Sequence, residues 1–103
     1  MESAADLRRR VAAGFKALAD PLRLAIVESL RGGERNVSEL VRATGGAQAN
    51  VSKHLQILHA SGIVHRRRSG LYTCYRLADA DIAGLCDAMA ERMSSAGRAL
   101  ESA

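Results

Sequence analysis

The chain has 103 residues, 48% hydrophobic and 25% charged, enough for one compact domain spanning 1–103 and too little for a second core. Fifteen Lys and Arg against eleven Asp and Glu leave a formal net charge of +4, which suits a polyanionic partner without establishing one. No run approaches the roughly 18 apolar residues a membrane span requires, and MESAADLRRRVAAGFKALAD interleaves charge with apolar residues too finely for a secretory signal. The cytoplasm is therefore the expected compartment, with no membrane partner. The two cysteines, Cys74 and Cys86, are too few for a disulfide framework. A domain of this size also gains stability by burying further surface in a dimer.

In chain order, Leu7, Val11, Phe15 and Leu18 recur at helical spacing and predict a first helix over Asp6–Leu18. Asp20-Pro21 reads as an N-cap and first helical position. Leu22, Ile26, Val27 and Leu30 form the buried stripe of a second helix that Gly32-Gly33 ends. Asn36 caps a short third helix, Val37–Thr44, with Val37, Leu40 and Val41 facing inward. After Gly45-Gly46, a fourth helix is predicted over Ala47–Ala60, anchored by Val51, Leu55 and Leu58 and stopped by Ser61-Gly62. Two extended segments, Ile63–Arg68 and Leu71–Leu77, are joined by Ser69-Gly70 into a hairpin. Ile82, Leu85, Cys86, Met89 and Met93 then mark a final amphipathic helix from about Ala80 to the region of Arg98. This order is a mainly α winged helix-turn-helix: about five helices plus a two-stranded wing.

That arrangement has a direct use on double-stranded DNA. The fourth helix fits the major groove, with Gln48, Asn50, Ser52 and Lys53 able to reach base edges and phosphates while Val51 and Leu55 hold it from behind. Gln and Asn suit adenine; Ser and Lys suit phosphate or, for Lys, guanine. Arg66, Arg67 and Arg68 approach the hairpin tip, and strand alternation prevents all three from pointing the same way. At least one or two should reach phosphate or the minor groove; the alternative is protection of an exposed sheet edge.

ALADPLRLAIVESL, VSELVRATG and QANVSKHLQILHASGIVHRRRSGLYTCYRLAD together resemble the ArsR/SmtB family of bacterial winged-helix repressors from about Phe15 to Asp81. The resemblance implies a homodimer joined through the first and last helices. It also implies an inverted-repeat operator, released when an inducer, often a metal ion, binds. It puts Gln48, Asn50, Ser52, Lys53 and His54 around the family's DNA contacts. His54 stands on the border of the buried face, where packing or a local bond is the competing role.

The family's metal-site motifs are missing. The third helix has no thiolates, the last lacks paired histidines, and Ile57 and Ser61 stand where a cadmium- and lead-sensing branch carries cysteines. His59 and His65 lack a recognisable third donor. No metal site or cofactor is expected, and the inducer is unknown. Cys86 lies on an apolar stripe, where a thiol packs as a small hydrophobe. Cys74, alternating with Tyr75, is expected to be exposed beside Arg76, so thiol or redox sensing by Cys74 and Cys86 is a lesser candidate. No phosphate loop or nucleophile motif points to an enzyme. The alternatives are a protein-interaction module using the same basic surface and a ligand-independent repressor.

Overall fold

The computed structural model describes the backbone of residues 1–102 and the side chains of residues 1–94. Its elements run α1 (Ala4–Leu18), α2 (Pro21–Ser29), β1 (Arg35–Asn36), α3 (Val37–Thr44), α4 (Gln48–Ala60), β2 (Val64–Ser69), β3 (Tyr72–Leu77) and α5 (Asp81–Ser102).

Local chemistry sets the helix starts. Ser3 and Asp6 form a reciprocal capping box, so α1 begins two residues before the expected Asp6, which serves as the third helical residue of the box. Asp20 accepts from the Arg23 amide at 3.0 Å and Pro21 follows it, giving α2 the anticipated start. It ends at Ser29 rather than at Gly32-Gly33; the intervening residues form a turn in which the Gly33 amide donates to Leu30 O. Asn36 and Glu39 cap α3 reciprocally at 2.9 and 3.0 Å. Gly45, at φ 74, ends α3 with its amide on Val41 O. Gly46 is tightly packed: an added Cβ would lie 3.0 Å from Val51 Cγ2 and 3.3 Å from Leu22 Cδ1, so those side chains would have to shift to admit one. The turn between α3 and α4 thus packs directly on α2.

The sheet has three antiparallel strands in the order β1-β3-β2, where two were expected. Arg35 pairs with Tyr75 and Asn36 with Cys74. Two residues are too few to show alternation, so β1 exists only through its pairing with β3. In the wing, Ser69 opposes Tyr72, leaving Gly70-Leu71 as the loop instead of Ser69-Gly70. Gly70 alone of that pair has positive φ, at 61°, so only its position requires the freedom of glycine. At the base of β2, the Ile63 amide returns to Leu58 O, which delays the strand by one residue.

The core lies where α2, α3, α4 and the base of the wing meet. Ile26, Leu40, Val51, Leu55 and Leu58 are fully buried, joined by Val27, Leu30, Val64 and Tyr75. Each such aliphatic burial contributes about 1.5–3 kcal/mol. Helix α1 gives this core only Ala17 and Leu18, while Leu7, Val11 and Phe15 on its stripe remain exposed. Leu85, Met89 and Met93 of α5 are exposed as well.

Candidate nucleic-acid interface

The core dictates how α4 presents itself. Val51, Leu55 and Leu58 have no exposed surface and fix the rotation of the helix about its axis. Gln48, Asn50 and Lys53 are then exposed, and Ser52 is half-buried. Ala47, at the N-cap, supplies no side-chain hydrogen bond, so the first α4 amides remain available to an external acceptor. These short polar groups and one ammonium form a surface able to donate to and accept from base edges or phosphates.

His54 points elsewhere. Arg23 Nη1 donates to His54 Nδ1 at 3.1 Å, and Asp20 Oδ2 lies 4.0 Å from the same nitrogen. Because a guanidinium only donates, Nδ1 must be the acceptor here. With 13% of its side chain exposed, His54 braces α4 against the start of α2. The Arg23 backbone amide bonded to Asp20 holds the aspartate below the usual carboxylate range, against partial desolvation. Arg23 Nε is buried without a hydrogen-bond partner among the described residues, leaving the His54 bond as part of what compensates that guanidinium.

The wing divides its arginines as alternation requires. Arg66 opposes Tyr75 and Arg68 opposes Thr73, on the sheet face that carries Val64 into the core. Arg67 opposes Cys74 on the other face. Its Nε and Nη2 donate to the two Glu34 oxygens at 2.8 and 2.6 Å. Arg66 and Arg68 make no ion pair among the described residues and are exposed. Glu34 escaped the sequence reading because it lies in the turn before a strand too short to recognise.

Both cysteines are half-buried, so Cys74 is less exposed than alternation alone indicated; β1 flanks it through Asn36. Burial pushes the Cys86 thiol up, with Asp87 adding to the effect and Arg31 opposing it. Cys86 lines a groove of about 490 Å³ between α2 and α5, rimmed by the paired Arg31 and Asp87 side chains. Among the described residues, no group of three or more His, Cys, Asp or Glu side chains converges. No described helix is long and apolar enough to cross a membrane.

The exposed stripe forms a second groove of about 470 Å³, lined by Phe15, Leu18, Leu24, Leu85, Met89 and Met93 among others. Its apolar lining comes from α1, α2 and α5. A row of large apolar side chains half-exposed to water on a chain of this size is characteristic of an interaction surface.

The sequence profile of the bacterial regulatory protein arsR family matches residues 20–66, the span from the α2 cap to the wing. The biofilm growth-associated repressor of Xylella fastidiosa is 39% identical over 87 residues, covering 82% of this chain and 76% of that protein. The chain belongs to the ArsR family. This ArsR-family chain is also 51% identical over 69 residues to the HTH-type transcriptional repressor SmtB of Mycobacterium tuberculosis, covering 67% of itself. It spans about half (51%) of that repressor's length. Among solved structures, the homodimeric winged helix-turn-helix DNA-binding domain of Mb0332 from Mycobacterium bovis superposes with a TM-score of 0.77 at 38% identity. That match covers 99% of this ArsR-family chain and 94% of the neighbour.

Proposed function

We propose that this protein is a sequence-specific DNA-binding transcriptional repressor, acting as a homodimer on an inverted-repeat operator. The observation that carries the reading is α4, whose Val51, Leu55 and Leu58 are completely buried while Gln48, Asn50 and Lys53 stand exposed on its outer side. A helix so anchored enters the major groove at a fixed angle. Gln48 and Asn50 then address adenine edges, Ser52 and Lys53 address phosphate, and Lys53 has guanine as its base alternative. Arg66 and Arg68 contact the backbone or minor groove beside it. His54 supports the reading helix through Arg23 rather than touching bases.

The second copy is the occupant of the α1/α5 surface. Phe15, Leu85, Met89 and Met93 are 48–58% exposed, and pairing them with the same surface of a partner gives a self-complementary two-fold interface. The homodimeric state of the Mb0332 domain, aligned over nearly the whole of both chains, supports this choice. Two-fold symmetry then places two α4 helices on half-sites about one helical turn apart, ~34 Å. Acting on the bacterial chromosome places the protein in the cytoplasm.

Selection of bound duplexes from a randomised pool at fixed salt tests the proposal. Enrichment of a palindrome with half-sites one turn apart supports a dimeric operator-binding repressor, whereas no enrichment turns the assignment toward a protein-interaction module or a nonspecific DNA binder. Metals, oxidants and sulfur species titrated against the selected complex then identify an inducer by release. Clear release by any one of them rejects the ligand-independent alternative.

A further inference from the structure

We propose that Arg67 and Glu34 form a clasp that sets the pitch of the wing, making Arg67 a positioning residue while Arg66 and Arg68 contact phosphate. The inference rests on the DNA-binding reading above, but concerns how the wing is held. Glu34 immediately precedes β1, whereas Arg67 lies on β2, with β3 between those strands. The Arg67 and Glu34 side chains therefore meet across β3, on the face that carries Cys74, through two parallel hydrogen bonds of 2.8 and 2.6 Å.

Two parallel bonds fix orientation as well as distance, which a single contact between flexible side chains does not. Pairing of β1 stops at Asn36 opposite Cys74, the same row as Arg67, so only the Arg68–Thr73 and Ser69–Tyr72 pairs and their loop extend beyond it as a two-stranded ribbon. Such a ribbon twists and flexes freely. The clasp is attached in that last three-stranded row, immediately before the Arg68–Thr73 pair, at the point from which the ribbon projects and hinges. Arg66 and Arg68 project from the other face, so a fixed ribbon presents them together. Arg67 reaches Glu34 only by lying across the face away from them.

The test compares the wild-type chain with Arg66→Ala, Arg67→Ala, Arg68→Ala, Glu34→Gln and the Arg67→Ala/Glu34→Gln double variant. Each is measured for affinity against salt on the selected duplex, and for amide hydrogen exchange in the free protein. Arg66→Ala and Arg68→Ala should each reduce the salt slope by about 0.9, the signature of one lost phosphate contact. Arg67→Ala and Glu34→Gln should leave the slope unchanged, weaken the selected duplex roughly threefold to tenfold, and accelerate wing exchange equally. The double variant should lose no more than either single one.

Glu34→Gln supplies the sign test. Removing a negative charge near DNA tightens binding by electrostatics alone, whereas loss of the clasp weakens it. Tighter binding by Glu34→Gln, with a lower salt slope for Arg67→Ala, would make Arg67 a phosphate ligand and overturn the proposal. Unchanged wing exchange in both single variants would also overturn it, whatever happens on DNA. Failure of the wild-type chain to bind duplex DNA would reject the DNA-binding reading, while hydrogen exchange would still decide whether the clasp holds the wing.

Discussion

Arg23 and His54 join α2 to α4 through a 3.1 Å hydrogen bond between side chains 31 positions apart in sequence. Asp20, the residue that caps α2, lies against the same imidazole at 4.0 Å. The start of one helix is thereby tied to the middle of the helix proposed to read DNA. A small rotation of α4 about its axis would misdirect Asn50 and Lys53, so this contact and the buried Val51–Leu55–Leu58 row act on one quantity: the aim of the reading face.

Truncating His54 tests that link. His54→Ala removes an acceptor from a guanidinium already carrying one buried, unsatisfied Nε, and should destabilise the chain by about 1–3 kcal/mol in denaturant unfolding. His54→Gln, whose side-chain oxygen can accept the same bond, should recover part of the loss. Unfolding midpoints for His54→Ala indistinguishable from wild type would show that the contact contributes nothing measurable.

Asp20 gives a pH dependence of defined sign. Its carboxyl is held below the ordinary range, chiefly by the Arg23 amide, so the folded state binds this proton less readily than the unfolded chain. The resulting stabilisation is complete above the ordinary carboxylate range and is lost as pH falls through the depressed value. Asn is also a good N-cap, so Asp20→Asn should retain α2 while flattening the acid side of the stability profile. An unaltered acid limb in unfolding measured across pH would assign the protonation to other carboxylates.

The two kinds of contact proposed for α4 should separate in binding measurements. Asn50→Ala should cost about 1–3 kcal/mol of discrimination between the selected duplex and a scrambled one. Lys53→Ala should instead weaken both duplexes and lower the salt slope by about 0.9 if its contact is phosphate. Equal losses on both duplexes from both substitutions would contradict this division of labour.

Charge placed on the α1/α5 surface should separate the copies without unfolding them. Phe15 and Met89 are 50% and 58% exposed within one chain, so Phe15→Glu or Met89→Glu buries no charge in its own core. Sedimentation should then give a monomer with an unchanged far-ultraviolet spectrum, and affinity for a palindromic operator should fall at least tenfold, the effect of about 1.4 kcal/mol. A dimer that survives both substitutions would place the interface elsewhere.

Much of this architecture was legible before any coordinates because its signals are local. Caps at Asp20 and Asn36, the Val51–Leu55–Leu58 spacing and the glycine-containing hairpin turn each depend on residues within a few positions of one another. Two boundaries were missed although their causes are equally local. Ser3 and Asp6 moved the start of α1 through a reciprocal bond, and Ser69 opposite Tyr72 moved the wing loop by one residue.

By itself the sequence determined the order of helices and hairpin, the residues anchoring α4, and the impossibility of aiming Arg66, Arg67 and Arg68 in one direction. Only the tertiary structure decided that Arg67 turns to Glu34, that His54 turns to Arg23, and that Arg35-Asn36 completes a three-stranded sheet. The physical reason is sequence separation: periodicity and capping arise from neighbouring backbone geometry, whereas those pairings arise only when folding brings distant segments to one surface. It also decided that α1 and α5 keep apolar rows outside the chain's own core. A helical stripe specifies that a face will be buried; the packing of the whole chain decides whether its own core can cover it.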